Sequence, residues 1–233
     1  MPLINGGIVE SSALRDRVYW GGCSLDTPLD FYFFLFSNEF CYTRPMYIRP
    51  RDEDAAIESA VSFMVEKINE SNTNPKPLIL HSLRVGLRLY EKGESKKIVI
   101  AGLLHDLLED TKCTEDEIEK RFSKELLDFV QVFNFDNPAK HYKDRWTDAI
   151  ERMKEIGRDA AIVKIVDILD NLNFLPIVYS DIEKTRGIFW RHNLVKTAFA
   201  EILRDDEDYK TYVQDLKIKE AAFEAQVVNT RNI

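Results

Sequence analysis

One stretch limits the fold of this chain more than any other. From Lys96 to Leu108, apolar residues cover every face of a helix, with Ile98, Val99, Ile100, Leu103, Leu104, Leu107 and Leu108 leaving no polar side. A helix of that kind must be surrounded by other elements. Yet His105 and Asp106 sit inside the run, and Glu109 and Asp110 follow directly. Ionisable groups among leucines are costly unless paired or bound to a cation. The centre of the molecule is therefore expected to carry chemistry as well as packing. If the helix continues unbroken, position i+4 stands over position i. Glu109 would then stand over His105, and Asp110 over Asp106.

The surrounding pattern is helical from about residue 52 onward. Ile57, Ala60, Val61, Met64 and Ile68 recur at three- and four-residue steps, an amphipathic stripe. Asn72, Asn74, Pro75 and Pro77 break it, and a second helix is expected over 80–90. Thr114 and Glu117 have the spacing of a capping box, with Ile118, Phe122, Leu126 and Phe129 continuing as one or two helices. Further helices are expected over 143–156, 159–173, 189–203 and 207–226, with Gly157 ending one of them. Trp146, Ala149, Ile150 and Met153 fall at helical spacing and read as core, as do Phe129, Val132 and Phe133. No run of short alternating strands follows residue 52, so the expected class is all-α.

Residues 1–50 read differently. They hold Gly6-Gly7, Gly21-Gly22, Pro28, Pro45 and Pro50, and the aromatic run Phe31, Tyr32, Phe33, Phe34 and Phe36. We expect a short irregular or β-containing segment there, aromatic-rich and distinct from a main domain over 51–233. Such a segment can pack on that domain or across a second copy, so a homo-oligomer stays open.

Charge and cysteine usage narrow the function. The formal net charge is −8, which disfavours nucleic acid as a partner, since phosphate backbones need a basic face. An anionic substrate would need a metal or a local basic mouth. Cys23, Cys41 and Cys113 form no C-x-x-C pair. A sparse, odd count suits the reducing cytoplasm, and no apolar segment has the length of a membrane span.

Two more residues complete the chemical set. His81 and Asp167 are each flanked by apolar neighbours, and Asp170 and Asn171 follow Asp167 within one turn. Two imidazoles and two carboxylates make a mixed nitrogen and oxygen site, suited to Mn²⁺, Fe²⁺ or Zn²⁺ rather than to a soft thiolate metal. Such an ion acidifies water and polarises phosphoryl oxygens, and Glu109 or Asp110 can exchange the proton.

The order H…HD…D resembles the HD superfamily of metal-dependent phosphohydrolases. Within it, the wording is closest to the hydrolase domain of RelA/SpoT-type (p)ppGpp hydrolases. Residues His105 to Thr111 resemble their H-D-x-x-E-D-T element, Lys164 to Asn171 their K-L-A-D-R-L-H-N element, and Pro77 to His81 the segment with their first histidine. The resemblance spans roughly residues 55 to 175 and implies an HD-domain helical bundle. It implies His81, His105, Asp106 and Asp167 as metal ligands, with Mn²⁺ the leading metal, and Glu109 and Asp110 as the catalytic acid pair. It implies Asn171 as a substrate contact, and a small anionic nucleotide as substrate.

The chain departs from that pattern at four places. No arginine lies between Glu70 and Leu80, Ser82 stands where a proline is usual, and Ile168 and Asp170 replace an arginine and a histidine. These leave the base of the nucleotide open. Lys140, Lys143 and Arg145 are the candidate basic mouth, with a solvated helix start as the plain alternative. Arg191 is open between lining the pocket and snorkelling out of an apolar helix. The competing readings are an HD nucleotidase with another phosphoester substrate, a non-catalytic ligand sensor, and a helical bundle without a site.

Overall fold

A computed structural model of the protein describes residues 49–71, 76–135 and 140–231. The expected irregular segment over residues 1–50 lies almost wholly outside the described residues. Those that are described belong to one unit, 47–233.

The described residues form helices and connecting turns, with no strand among them. Helix α1 spans Arg51–Ser71, α2 Leu78–Glu91 and α3 Lys96–Leu104. A short α4 covers Leu107–Asp110, followed by α5 (Glu115–Arg121), α6 (Lys124–Gln131), α7 (Tyr142–Ile156) and α8 (Arg158–Asn171). A 3₁₀ stretch, Leu172–Val178, leads to α9 (Ile182–Phe199) and α10 (Glu207–Arg231).

The bundle is built around α3 and α8. Every residue from Ile98 to Leu104 and from Ala160 to Leu169 is buried. Both sequences are apolar nearly all round, and burial on every side is the only arrangement that keeps such a helix out of water. Helices α1, α2 and α8 pack on α3, while α7 and α10 pack on α8.

Helix α2 reaches α3 through a glycine contact. A Cβ placed on Gly86 would overlap the Leu103 side chain, with Cγ only 2.6 Å away, and one on Gly102 would meet Leu89 and lie 3.8 Å from the Gly86 Cα. The two helices can approach this closely only because both positions lack a side chain.

Local signals behave as physical chemistry requires. Thr114 and Glu117 make the reciprocal capping box of α5, satisfying donors that the first turn leaves open. Gly157 has φ 88°, closing α7 and opening α8 in a conformation that side chains resist.

The structure corrects three sequence-based expectations. The helix over 96–108 is broken: α3 ends at Leu104, His105 and Asp106 form a turn, and α4 restarts at Leu107. The vertical stacking of Glu109 over His105 therefore does not hold as expected. The ninth helix begins at Ile182 rather than near 189, because Asp181 caps it by accepting from the Lys184 amide. Trp146 does not sit within the core like Ala149, Ile150 and Met153. It is half-buried and forms part of a cavity wall.

Candidate metal centre and active site

Two histidines meet where α2 passes the end of α3. His81 lies in the first turn of α2, and His105 in the turn that breaks the central run. Both are almost fully buried. The break lets the His105 ring fold back so that Nδ1–H donates to the Gly102 carbonyl at 2.8 Å. His81 Nδ1–H donates to Asp170 Oδ2 at 2.7 Å. Each partner can only accept, so each ring carries its proton on Nδ1 and presents Nε2 to the same point.

Those two Nε2 atoms are 3.3 Å apart. His81 Nε2 lies 3.4 Å from Asp106 Oδ2 and 3.2 Å from Asp167 Oδ1. His105 Nε2 lies 3.1 Å from Asp106 Oδ1 and 3.4 Å from Asp167 Oδ1. His81, His105 and Asp106 offer ligand atoms that all lie within 4.8 Å of one another. A donor set with bonds of roughly 2.1 Å has neighbouring ligand atoms about 3 Å apart, so these residues fit a divalent cation.

Electrostatics support the fit. Burial disfavours the charged form of His81, but hydrogen bonds to Asp106, Asp167 and Asp170 overcome this and raise it to about 10. His105, fully buried, is raised to about 9 by Asp106 and Asp167 against the same penalty. Despite burial, Asp106 and Asp167 are held well below the carboxylate range by their cationic neighbours. The cluster thus draws positive charge. Protons can supply it, and a metal ion supplies it better once both imidazoles are neutral ligands.

Further residues order the cluster. Asp170 bridges His81 and the Arg84 guanidinium. Asn171 donates to Asp167 Oδ1 at 2.6 Å and accepts from Lys76 at 3.3 Å, so both ends of its amide are engaged in holding the centre. Lys164 Nζ donates to Asp167 Oδ2 at 2.7 Å. Lys76, which no motif marked, donates to Asp106 Oδ2 at 2.9 Å.

The cluster opens into a cavity of about 340 Å³. Glu109 and Asp110 line it beside Asp106 and Asp167. Burial raises the Glu109 carboxyl to about 7, with Lys164 opposing and the surrounding carboxylates adding to the rise. The far part is apolar and aromatic, with Phe135 stacked on Trp146 at a centroid distance of 4.0 Å. The cations on its wall are Lys76, Lys164 and Arg191. Lys140, Lys143 and Arg145 are not brought to it. Lys140 pairs with Asp148 on the surface, and Lys143 lies over Trp190.

Comparison with known proteins fits this geometry. The family model described as HD domain matches residues 57–184. The chain belongs to the HD-domain family. A guanosine-3′,5′-bis(diphosphate) 3′-pyrophosphohydrolase of Aquifex aeolicus is 32% identical over 122 residues, covering 51% of this chain and 18% of that protein. The enzyme of that name called MESH1 in Danio rerio is 31% identical over 126 residues, covering 52% of this chain and 69% of that protein. The chain thus spans about a fifth of the length of the Aquifex relative, 18%. A solved structure described as a metazoan ortholog of SpoT that hydrolyzes ppGpp superposes with a TM-score of 0.61 at 19% identity, covering 75% of this chain and 98% of that one. That likeness shows the fold. Among the described residues, no helix is long and apolar enough to cross a membrane.

Asp170→Asn removes the carboxylate that orients His81 while keeping its size. Outer partners of metal-bound histidines are worth about 10- to 100-fold in affinity. Metal affinity, measured by competition with a chelator, is expected to fall within that range. Activity should return at saturating metal.

Proposed function

We propose that this chain is a divalent-metal-dependent phosphohydrolase acting on a nucleotide, with (p)ppGpp as the leading substrate and pyrophosphate from its 3′ position as the product. The observation that carries the reading is the convergence of His81, His105, Asp106 and Asp167 beside Glu109, in a cavity walled by lysines and an arginine. The names of the relatives support the choice of substrate.

In this reading His81, His105, Asp106 and Asp167 hold the ion, and Mn²⁺ suits their mixed nitrogen and oxygen donors. The ion supplies Lewis acidity, which lowers the pKa of water and polarises a phosphoryl oxygen. Glu109 takes the proton of the attacking water at its carboxylate, and a carboxyl titrating near 7 can return it to the leaving oxygen. Asp110 is the second member of the acid pair. Lys76 and Lys164 offset charge that builds on the phosphoryl oxygens. The aromatic part of the cavity excludes water and offers a face to the nucleoside. Residues 51–233 form the hydrolase domain, and residues 1–50 a separate segment. The protein works in the cytoplasm.

A second reading keeps the chemistry and changes the base. Ile168 lines the cavity where the resemblance has an arginine, so a phosphoester of a different nucleotide is the competitor. Hydrolysis by the Mn²⁺-loaded protein across ppGpp, GTP and deoxynucleoside monophosphates separates the two. Turnover of ppGpp to GDP and pyrophosphate, lost in Asp106→Ala, is expected. Turnover confined to another nucleotide would move the protein to the second reading, and silence across the panel would contradict both.

A further inference from the structure

Arg191 is a cation in an unusual position. It projects from α9 into the wall of the cavity that holds the candidate metal cluster. Its Nε is buried and has no hydrogen-bond partner among the described residues. The other two cations of that wall are tied to carboxylates, Lys76 to Asp106 and Lys164 to Asp167. Among the described residues Arg191 makes no ion pair with a carboxylate and packs against rings, with its guanidinium 4.8 Å from the Trp146 centroid and 5.8 Å from that of Tyr142.

A partly buried guanidinium with no carboxylate paired to it among the described residues is costly. Contacts with aromatic faces return only part of that cost. Burial makes its charge harder to keep, with Tyr142, Glu109 and Asp167 near enough to oppose this. An aliphatic side chain would fill the same position without the penalty. The chain has 40 acidic against 32 basic residues, so carboxylates to pair with are not scarce. A residue kept at a cost to the ligand-free protein is expected where a ligand later repays it.

The neighbouring groups indicate what that ligand is. His192, next in the chain, is pushed down to about 3 by burial and by the adjacent cations Arg191 and Lys164, so it stays neutral and adds no competing charge. The rings flank the guanidinium, and a guanidinium donates in its own plane, in bidentate fashion, to a phosphate. Asp106 and Asp167 of the candidate metal cluster line the same cavity as Arg191.

We propose that Arg191 forms an anion subsite of this cavity, taking one phosphate group of the substrate while the phosphoryl group under attack faces the residues that would hold the metal. The proposal rests on the nucleotide hydrolase reading. It adds a specificity-determining residue outside the H…HD…D motif, contributed by α9. Substrates with a second phosphate group engage both the cluster and Arg191.

The test uses the metal-loaded full chain and the variants Arg191→Met and Arg191→Lys, with inorganic phosphate as the probe and thermal unfolding as the readout. Charge-assisted hydrogen bonds are worth tenfold or more in affinity, at about 1.4 kcal/mol per decade. Arg191→Met should weaken phosphate binding by about tenfold or more, with Arg191→Lys between it and the wild type. Without phosphate, Arg191→Met should unfold at the same temperature as the wild type or above it, because the variant sheds a partly buried charge that no carboxylate pairs among the described residues. A lower midpoint for ligand-free Arg191→Met would mark a structural role and overturn the proposal. So would equal phosphate binding by all three proteins, or none by the wild type. Parallel ppGpp assays separate this from the hydrolase reading. Arg191-dependent phosphate binding without any turnover would keep the subsite and reject the hydrolase. Equal kcat/KM for wild type and Arg191→Met would keep the hydrolase and reject the subsite.

Discussion

Asp106→Ala is expected to abolish stoichiometric metal binding and to lower phosphoester hydrolysis by about three orders of magnitude or more. The magnitude follows from the role. A catalytic ion contributes several kcal/mol of transition-state stabilisation, and each decade of rate is about 1.4 kcal/mol. Asp106 is poorly replaced by a neighbour, because its two oxygens serve different partners: Oδ1 faces His105, while Oδ2 faces His81 and Lys76. Removing it leaves two buried imidazoles with Asp167 as their remaining close carboxylate at Nε2. The fold should survive, since Asp106 lies in a turn and its side chain makes no helix cap. Metal content of the purified variant and its far-ultraviolet circular dichroism check both halves of this expectation. Full metal occupancy with wild-type turnover would remove Asp106 from the centre.

Gly86→Val is expected to have the largest effect on stability. The added side chain must occupy space held by Leu103, whose Cγ would lie 2.6 Å from the new Cβ. Overpacking a tight core typically costs about 1–3 kcal/mol, and a branched residue in mid-helix adds to it. For a domain of this size each kcal/mol lowers the midpoint by roughly 2–4 °C, so a drop of about 2–12 °C is expected. The damage reaches the site, because α2 carries His81 and α3 leads into His105. Forcing those helices apart lengthens the 3.3 Å between the two Nε2 atoms, and metal affinity should fall with stability. Gly86→Ala should cost less, since alanine recovers about 1 kcal/mol of helix propensity. A Gly86→Val variant with an unchanged midpoint would mean that the helices are not packed as closely as described.

Much of the site was legible because its residues violate the pattern around them. Histidine and aspartate among leucines and isoleucines stand out in a single sequence, and so do Glu109 and Asp110. The capping box at Thr114 and the glycine at 157 were legible because their signals are local. The break at His105–Asp106 was not. Leucines continue the helical period on both sides of it, while the carbonyl of Gly102 that captures the His105 ring leaves no trace in that period. Asp170 met its partner 89 residues away, a pairing only the packed bundle creates. Trp146 shows how one period serves two ends, since a residue at core spacing can as well face a cavity. The basic residues at 140, 143 and 145 were conspicuous as a cluster. The cations that reached the cavity are isolated ones, Lys76, Lys164 and Arg191, brought together from three separate parts of the chain.

The most direct measurement is anomalous diffraction from crystals grown with Mn²⁺. The expected result is one strong peak within bonding distance of His81 Nε2, His105 Nε2, Asp106 and Asp167, absent from Asp106→Ala crystals. A peak bound elsewhere, or none at the His81–His105 meeting point in a fully loaded sample, would contradict the account.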